Sequence, residues 1–162
     1  MANAAEGERK RFMGQFRINT AAPNLVNICI DHVENGEYGG RIYHKYEKEE
    51  INFAESGQMI TILDKFYNRI NHPQASTKYR SFQKKKKSET EPRRREENLK
   101  QVQTAQEMLT PRGKEATFIL HVQFRQNSTW QGKLIWMEEE AEETFCSVLE
   151  ILKLLDSALA RE

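Results

Sequence analysis

Lys84-Lys85-Lys86-Lys87 and Arg93-Arg94-Arg95 place seven cations within twelve residues, with only Glu89 and Glu91 between them. Such clusters neutralise phosphates and release condensed counterions, so they hold nucleic acid whatever its sequence. Tyr79 and Phe82 flank the first run, and aromatic rings stack on unpaired bases. The plainer reading is a solvated linker kept soluble by its charge. From Lys78 to Arg95 nine Lys/Arg stand against two Glu, whereas Met137 to Glu162 holds eight acids and two bases. A net charge of +1 therefore combines a basic middle with an acidic C-terminal end. That asymmetry suits a polyanionic partner, or docking of the two regions on each other.

Two further groups of residues could carry chemistry. If Ile28 and Ile42 point toward helices, then Arg41, Tyr43, His121, Gln123, Arg125, Lys133 and Ile135 point away. A sheet face bearing Arg and Lys with an occasional aromatic is one way RNA-binding folds present themselves. It is also what a plain solvent face or a dimer interface looks like. Trp130 and Trp136, with Tyr38 and His44 at matching positions, fall on the opposite parity and read as core. The acidic runs Glu47 to Glu50 and Glu138 to Glu143 lack the ligand alternation and turn glycine of a calcium loop and read as solvated bends. Cys29 and Cys146 have no metal-ligand spacing. There is no glycine-rich phosphate loop, nucleophile elbow or Cys/His dyad. No catalytic residue, metal ligand or cofactor is assigned from the sequence, and a non-enzyme is expected.

The elements that must position these side chains come from an internal repeat. Shifted by 92 positions, residues 25–70 fall on 117–162 without a gap. Asn35 meets Asn127, Gly40 meets Gly132, Phe53 meets Phe145 and Asp64 meets Asp156. Val26, Ile28 and Ile30 alternate with polar residues, as do Phe118, Leu120, Val122 and Phe124; this is the period of a half-buried strand. The pattern predicts first strands over 25–33 and 117–125 and second strands over 38–46 and 130–137. Helices follow over 56–71 and 147–160. Asn35-Gly36 signals a hairpin, and Ser147 with Glu150 has capping-box spacing; Ser56 is the matching candidate cap.

One such unit has too little apolar surface to fold alone, so the two copies must pack on each other or on another chain. The expected fold class is α+β. Two pseudo-symmetric ββα repeats form a four-stranded antiparallel sheet with two helices on one face, plus a charged, partly helical linker. The expected organisation is a flexible N-terminal segment at 1–20, a first repeat at 21–72, a basic linker with an exposed helix at 73–115, and a second repeat at 116–162. The linker helix is drawn from Glu91 to Leu109, with Leu99, Val102 and Leu109 as its thin apolar stripe, ended by Thr110-Pro111-Arg112-Gly113. No stretch has the h-region of a signal peptide or the length of a membrane span, so a soluble cytoplasmic protein is expected.

The stretch Phe124-Arg125-Gln126-Asn127-Ser128-Thr129-Trp130-Gln131-Gly132, with Phe145 and Leu155-Asp156-Ser157-Ala158-Leu159, resembles small uncharacterised proteins of anaerobic Firmicutes. The first half, through Pro73-Gln74-Ala75-Ser76-Thr77, is similar to a companion of the same kind. The resemblance implies no activity and no functional residues. The residues themselves point to a non-enzymatic binding module. It would contact nucleic acid through Lys84, Lys85, Lys86, Lys87, Arg93, Arg94 and Arg95, with Arg41 and Lys133 adding contacts on an open sheet face. The competing class is a protein-interaction or scaffolding module, or a homo-oligomer, that uses a sheet or helix face.

Overall fold

The computed structural model describes residues 18–78, 80–83 and 99–160, together with Ala4, Gly7 and Arg11. The alternating segments become β1 (Val26–Glu34), β2 (Glu37–His44), β4 (Ala116–Phe124) and β5 (Gln131–Trp136). The helical stripes become α1 (Ser56–Ile70) and α3 (Val148–Leu159). Two more strands replace the expected acidic bends: β3 (Glu47–Phe53) and β6 (Ala141–Phe145). A short helix, α2 (Ala105–Met108), lies between the units. The architecture is thus a six-stranded antiparallel sheet of order β3-β2-β1-β4-β5-β6 with three described helices, not four strands and two helices. It remains α+β, with each unit βββα.

The missed strands are edge strands. β3 gives only Ile51 and Phe53 to the core, and β6 gives only Phe145. The rest of β3 is mostly charged, and half of the rest of β6 is. Charge on an edge deters pairing with other chains, and it also erases the apolar alternation that marks an inner strand.

The 92-residue offset is visible in the sheet itself. Asn27 pairs across β1 and β4 with Ile119, the residue 92 positions later. A pseudo-two-fold axis therefore passes between these two residues. On one face α1 and α3 close a core that contains Ile28, Ile30, Ile42, Leu63, Phe66, Leu120, Val122, Leu134 and Leu155, all expected there. Leu152, also expected, is only partly buried against it. Trp130 meets Tyr67 edge to face at 5.3 Å, and His44 stacks on Phe66 at 4.1 Å. Burial holds the His44 imidazole down at about 4, against an opposing pull from Glu47, so the ring is neutral at pH 7.

The hydroxyl of Tyr67 is buried among these rings with no hydrogen-bond partner among the described residues. Removing an unsatisfied buried polar group relieves its desolvation cost. Tyr67→Phe is therefore expected to raise stability by about 1 kcal/mol, read as a later midpoint in urea unfolding. A loss of stability would place a partner on that hydroxyl.

The two units also cap their helices in the same way, from a distance. The hydroxyl of Ser56 and its backbone N–H donate to the Glu37 carboxylate at 2.9 and 3.0 Å. In the second unit Val148 N–H donates to Thr129 Oγ1 at 3.0 Å, and Thr129 is the counterpart of Glu37. Ser56 is thus held by a hairpin residue and does not itself cap α1. Ser147 does cap α3, accepting from Glu150 N–H at 3.1 Å, while the Glu150 carboxylate accepts from Cys146 N–H.

The second sheet face is not bare. Met108 and Leu109 cover Cys29, Tyr43, Ile119 and Ile135, joined by Ala22, Leu25 and Met137. Asn27, on the pseudo-axis, donates to Met108 O and Pro111 O at 3.0 Å and fixes this cover. The described part of the linker is therefore not an exposed helix ending at Leu109. Residues 99–103 are non-helical, and Thr104 and Glu107 form the capping box that starts the short α2. The apolar pair Met108-Leu109 then turns into the sheet.

Candidate nucleic-acid interface

A register irregularity shapes both units. In β1 the pairing with β2 shifts between Ile30 and His32; in β4 the pairing with β5 shifts between Val122 and Phe124. These positions are 92 apart, so the β-bulge is duplicated. Each bulge lies beside one of the paired glycines. A Cβ on Gly40 would sit 1.8 Å from Cys29 O, and one on Gly132 would sit 2.0 Å from His121 O. The repeated glycine is therefore a packing requirement of the repeated bulge.

The bulge reassigns the side chains beyond it. Val122 lies in the helix-side core, and Arg125 reaches α1 on that same side. Two residues, not one, separate them, so Gln123 and Phe124 both lie on the outward face. Strict alternation places Phe124 inward and Arg125 outward; both are reversed. Phe124 is 56% exposed and Arg125 is 2% exposed. The offset carries the signal for this reversal. Val26/Phe118, Ile28/Leu120 and Ile30/Val122 pair apolar with apolar, whereas Phe124 meets His32.

Arg125 is consumed by structure. Its guanidinium donates to Pro73 O and Asn68 Oδ1 at 2.7 Å each and to Tyr67 O at 3.5 Å, with Asp64 at 4.0 Å. Ser76 N–H donates to Arg125 O at 3.0 Å, so the chain leaving α1 is pinned alongside β4.

The other outward residues separate into two settings. Arg41 donates to both carboxylate oxygens of Asp31 at 2.8 and 3.0 Å, to Tyr43 Oη at 2.7 Å and to Arg112 O at 2.8 Å. Tyr43 in turn donates to Glu50 at 2.9 Å. Asp31 is held below the usual carboxylate range, first by the Arg41 hydrogen bond. Arg41 is therefore occupied. Tyr43 and Ile135 lie beneath the linker cover, and the Cys29 thiol there is pushed up to about 12 by burial. Lys133 is freer. Among the described residues it has one ion pair, with Glu142 at 3.3 Å, and its side chain is 35% exposed. His121 stands directly opposite it across β4 and β5.

Lys84, Lys85, Lys86, Lys87, Arg93, Arg94 and Arg95 lie outside the described residues, as does Tyr79. Phe82 is fully exposed. The described chain on both sides of the basic run is fixed at one end of the sheet, where the β4–β5 hairpin and the β2–β3 turn lie. Ser76 is held by Arg125 on one side. On the other, Val102 and Gln103 donate to Lys45 O, and the Gln103 amide donates to His44 O and Glu47 O. The Lys45 ammonium is also bound here, to Thr20 O at 2.6 Å and Ala22 O at 3.0 Å, so the N-terminal segment joins the same end.

No family model, curated protein or solved structure matches this chain. Its function therefore rests on the residues and the geometry. Among the described residues no helix is long and apolar enough to cross a membrane. No group of three or more described His, Cys, Asp or Glu is placed to hold a metal ion.

Proposed function

We propose that the protein is a non-enzymatic binding module that contacts nucleic acid through its basic run, Lys84 to Lys87 and Arg93 to Arg95. One observation carries the reading: nine Lys/Arg against two Glu between Lys78 and Arg95. The anchoring of the flanking chain supports it, because both sides of the run are held at a single end of the sheet. Long cationic side chains reach phosphates without a preformed groove, and the attraction does not depend on base sequence. Of the two sheet residues expected to add to the contact, Lys133 is half-buried and ion-paired with Glu142 alone among the described residues. Arg41 is committed to Asp31 and contributes to the fold instead.

Titration of labelled single- and double-stranded oligonucleotides tests this. Affinity is expected to fall roughly 10³- to 10⁴-fold between about 50 and 200 mM salt, as phosphate contacts of this number require. Replacing all seven cations by Gln is expected to abolish binding. No binding at low salt, or binding indifferent to that replacement, overturns the reading and favours a protein-interaction module that uses a sheet or helix face.

A further inference from the structure

The two units share a backbone but carry different outward surfaces beyond their bulges. In the first unit the positions are Asp31, His32 and Arg41, with Cys29 under the linker cover. In the second they are Gln123, Phe124 and Lys133, with His121. Asp31 binds Arg41 through both oxygens, and Glu50 lies 3.9 Å from the same guanidinium. An arriving phosphate would meet two carboxylates and a guanidinium with four of its five N–H donors already engaged. The second unit keeps the cation, replaces the nearer carboxylate by the Gln123 amide, and replaces an imidazole by an exposed phenyl ring.

Phe124 is the unusual residue. It belongs to neither core cluster and is 56% exposed on a strand, next to polar neighbours. A bulge has turned it away from the core, where an alternating strand would have buried it. Lys133 and His121 lie next along the same face, one rung nearer the sheet centre. The Lys133 ammonium has three donors, so its bond to Glu142 leaves capacity for an anionic oxygen. Burial lowers the His121 imidazole first, and the His72 and Lys133 charges lower it further. This patch shares the β4–β5 hairpin end with the anchors of the basic run.

We infer that Phe124, Gln123, His121 and Lys133 form a seat for one unpaired nucleobase and its adjoining phosphate, so that the protein prefers single-stranded nucleic acid. The base stacks on the Phe124 ring, the Gln123 amide and neutral His121 imidazole offer hydrogen bonds to its edge, and Lys133 takes the phosphate. A duplex cannot use the seat, because its bases are already stacked and their faces closed. This inference rests on the nucleic-acid reading above and adds the class of strand that is chosen.

The test uses the full chain, an oligothymidylate and a hairpin duplex of equal charge. The wild type is expected to bind the single strand about tenfold more tightly than the duplex. Phe124→Ala is expected to lose that preference through weaker single-strand binding, with duplex affinity unchanged. Phe124→Tyr, which keeps a stacking ring, retains it. Lys133→Gln weakens single-strand binding and leaves thermal stability near that of the wild type. Because Phe124 packs in neither core, matching melts for the Phe124 variants identify a change in the seat and not in the fold. If the wild type binds neither probe, the parent reading falls and this one with it. If it binds both and Phe124→Ala is indistinguishable from it, only the seat is refuted.

Discussion

Arg125→Ala is expected to lower the unfolding free energy by about 3–5 kcal/mol. The guanidinium is buried, and its donors reach Pro73 O, Asn68 Oδ1 and Tyr67 O at the C-terminal end of α1. Truncation takes the guanidinium donors away from Pro73 O and Asn68 Oδ1, while Tyr67 O keeps the His72 N–H; it also opens a cavity beside Tyr67 and removes the cation that faces Asp64. It also cuts the main side-chain tie between the first unit's helix and the second unit's β4. Arg125→Lys should recover little of the loss, since one ammonium cannot span acceptors that a planar fork reaches together. Equilibrium denaturation of both variants is the measurement. A Lys variant as stable as the wild type would show that charge alone, and not the fork, holds the junction.

A comparable loss, about 3 kcal/mol or more, is expected for Gly40→Ala and for Gly132→Ala. In each case the added methyl would lie 1.8 to 2.0 Å from a backbone oxygen of the neighbouring strand, and backbone cannot rotate aside as a side chain can. The strands must separate locally, which breaks ladder hydrogen bonds on both sides of the bulge. Gly57→Ala is the control. A methyl there meets nothing within 4 Å in the first turn of α1, so the change should be neutral or stabilising by up to about 1 kcal/mol. Thermal melts of the three variants decide the matter. If Gly132→Ala melts with the wild type, the strands do not approach each other at the bulge as described.

Much of this fold is written in the sequence because its two halves repeat one pattern. The inner strands β1, β2, β4 and β5 turn a mainly apolar row toward the helices, and α1 and α3 turn one stripe each toward the sheet, so their apolar periods survive. The edge strands were unreadable for the opposite reason. Glu47 to Glu50 and Glu142 to Glu143 belong to strands with one open edge, and such charges read as a bend. The single-residue insertions at Asp31 and Gln123 leave no trace in composition, yet each flips the parity of the residues beyond it. Hence Phe124 and Arg125 were exchanged between core and surface. The mismatch of Phe124 with His32 across the offset, and the shared glycine beside each bulge, would have exposed the flip. The sequence places Leu109 on an exposed helix and gives Met108 no place, because a two-residue apolar patch has no period to betray which surface it seeks. Of the proposed site, the seven linker cations and Lys133 are legible as charge, whereas Phe124 requires the bulge to be seen.

The pairing of Asn27 with Ile119, its own counterpart, has a consequence for assembly. A lone first unit would end in a bare β1, and the geometric complement of that edge is the same edge on a second copy, turned by two-fold rotation. Holding both units on one chain turns that encounter into an intramolecular one. Closure of the central ladder then no longer depends on how many molecules are present. Each half is also free to diverge, since a residue on one side of the axis need not equal its mate. That freedom is what lets one side keep an Asp31–Arg41 pair while the other carries an exposed ring.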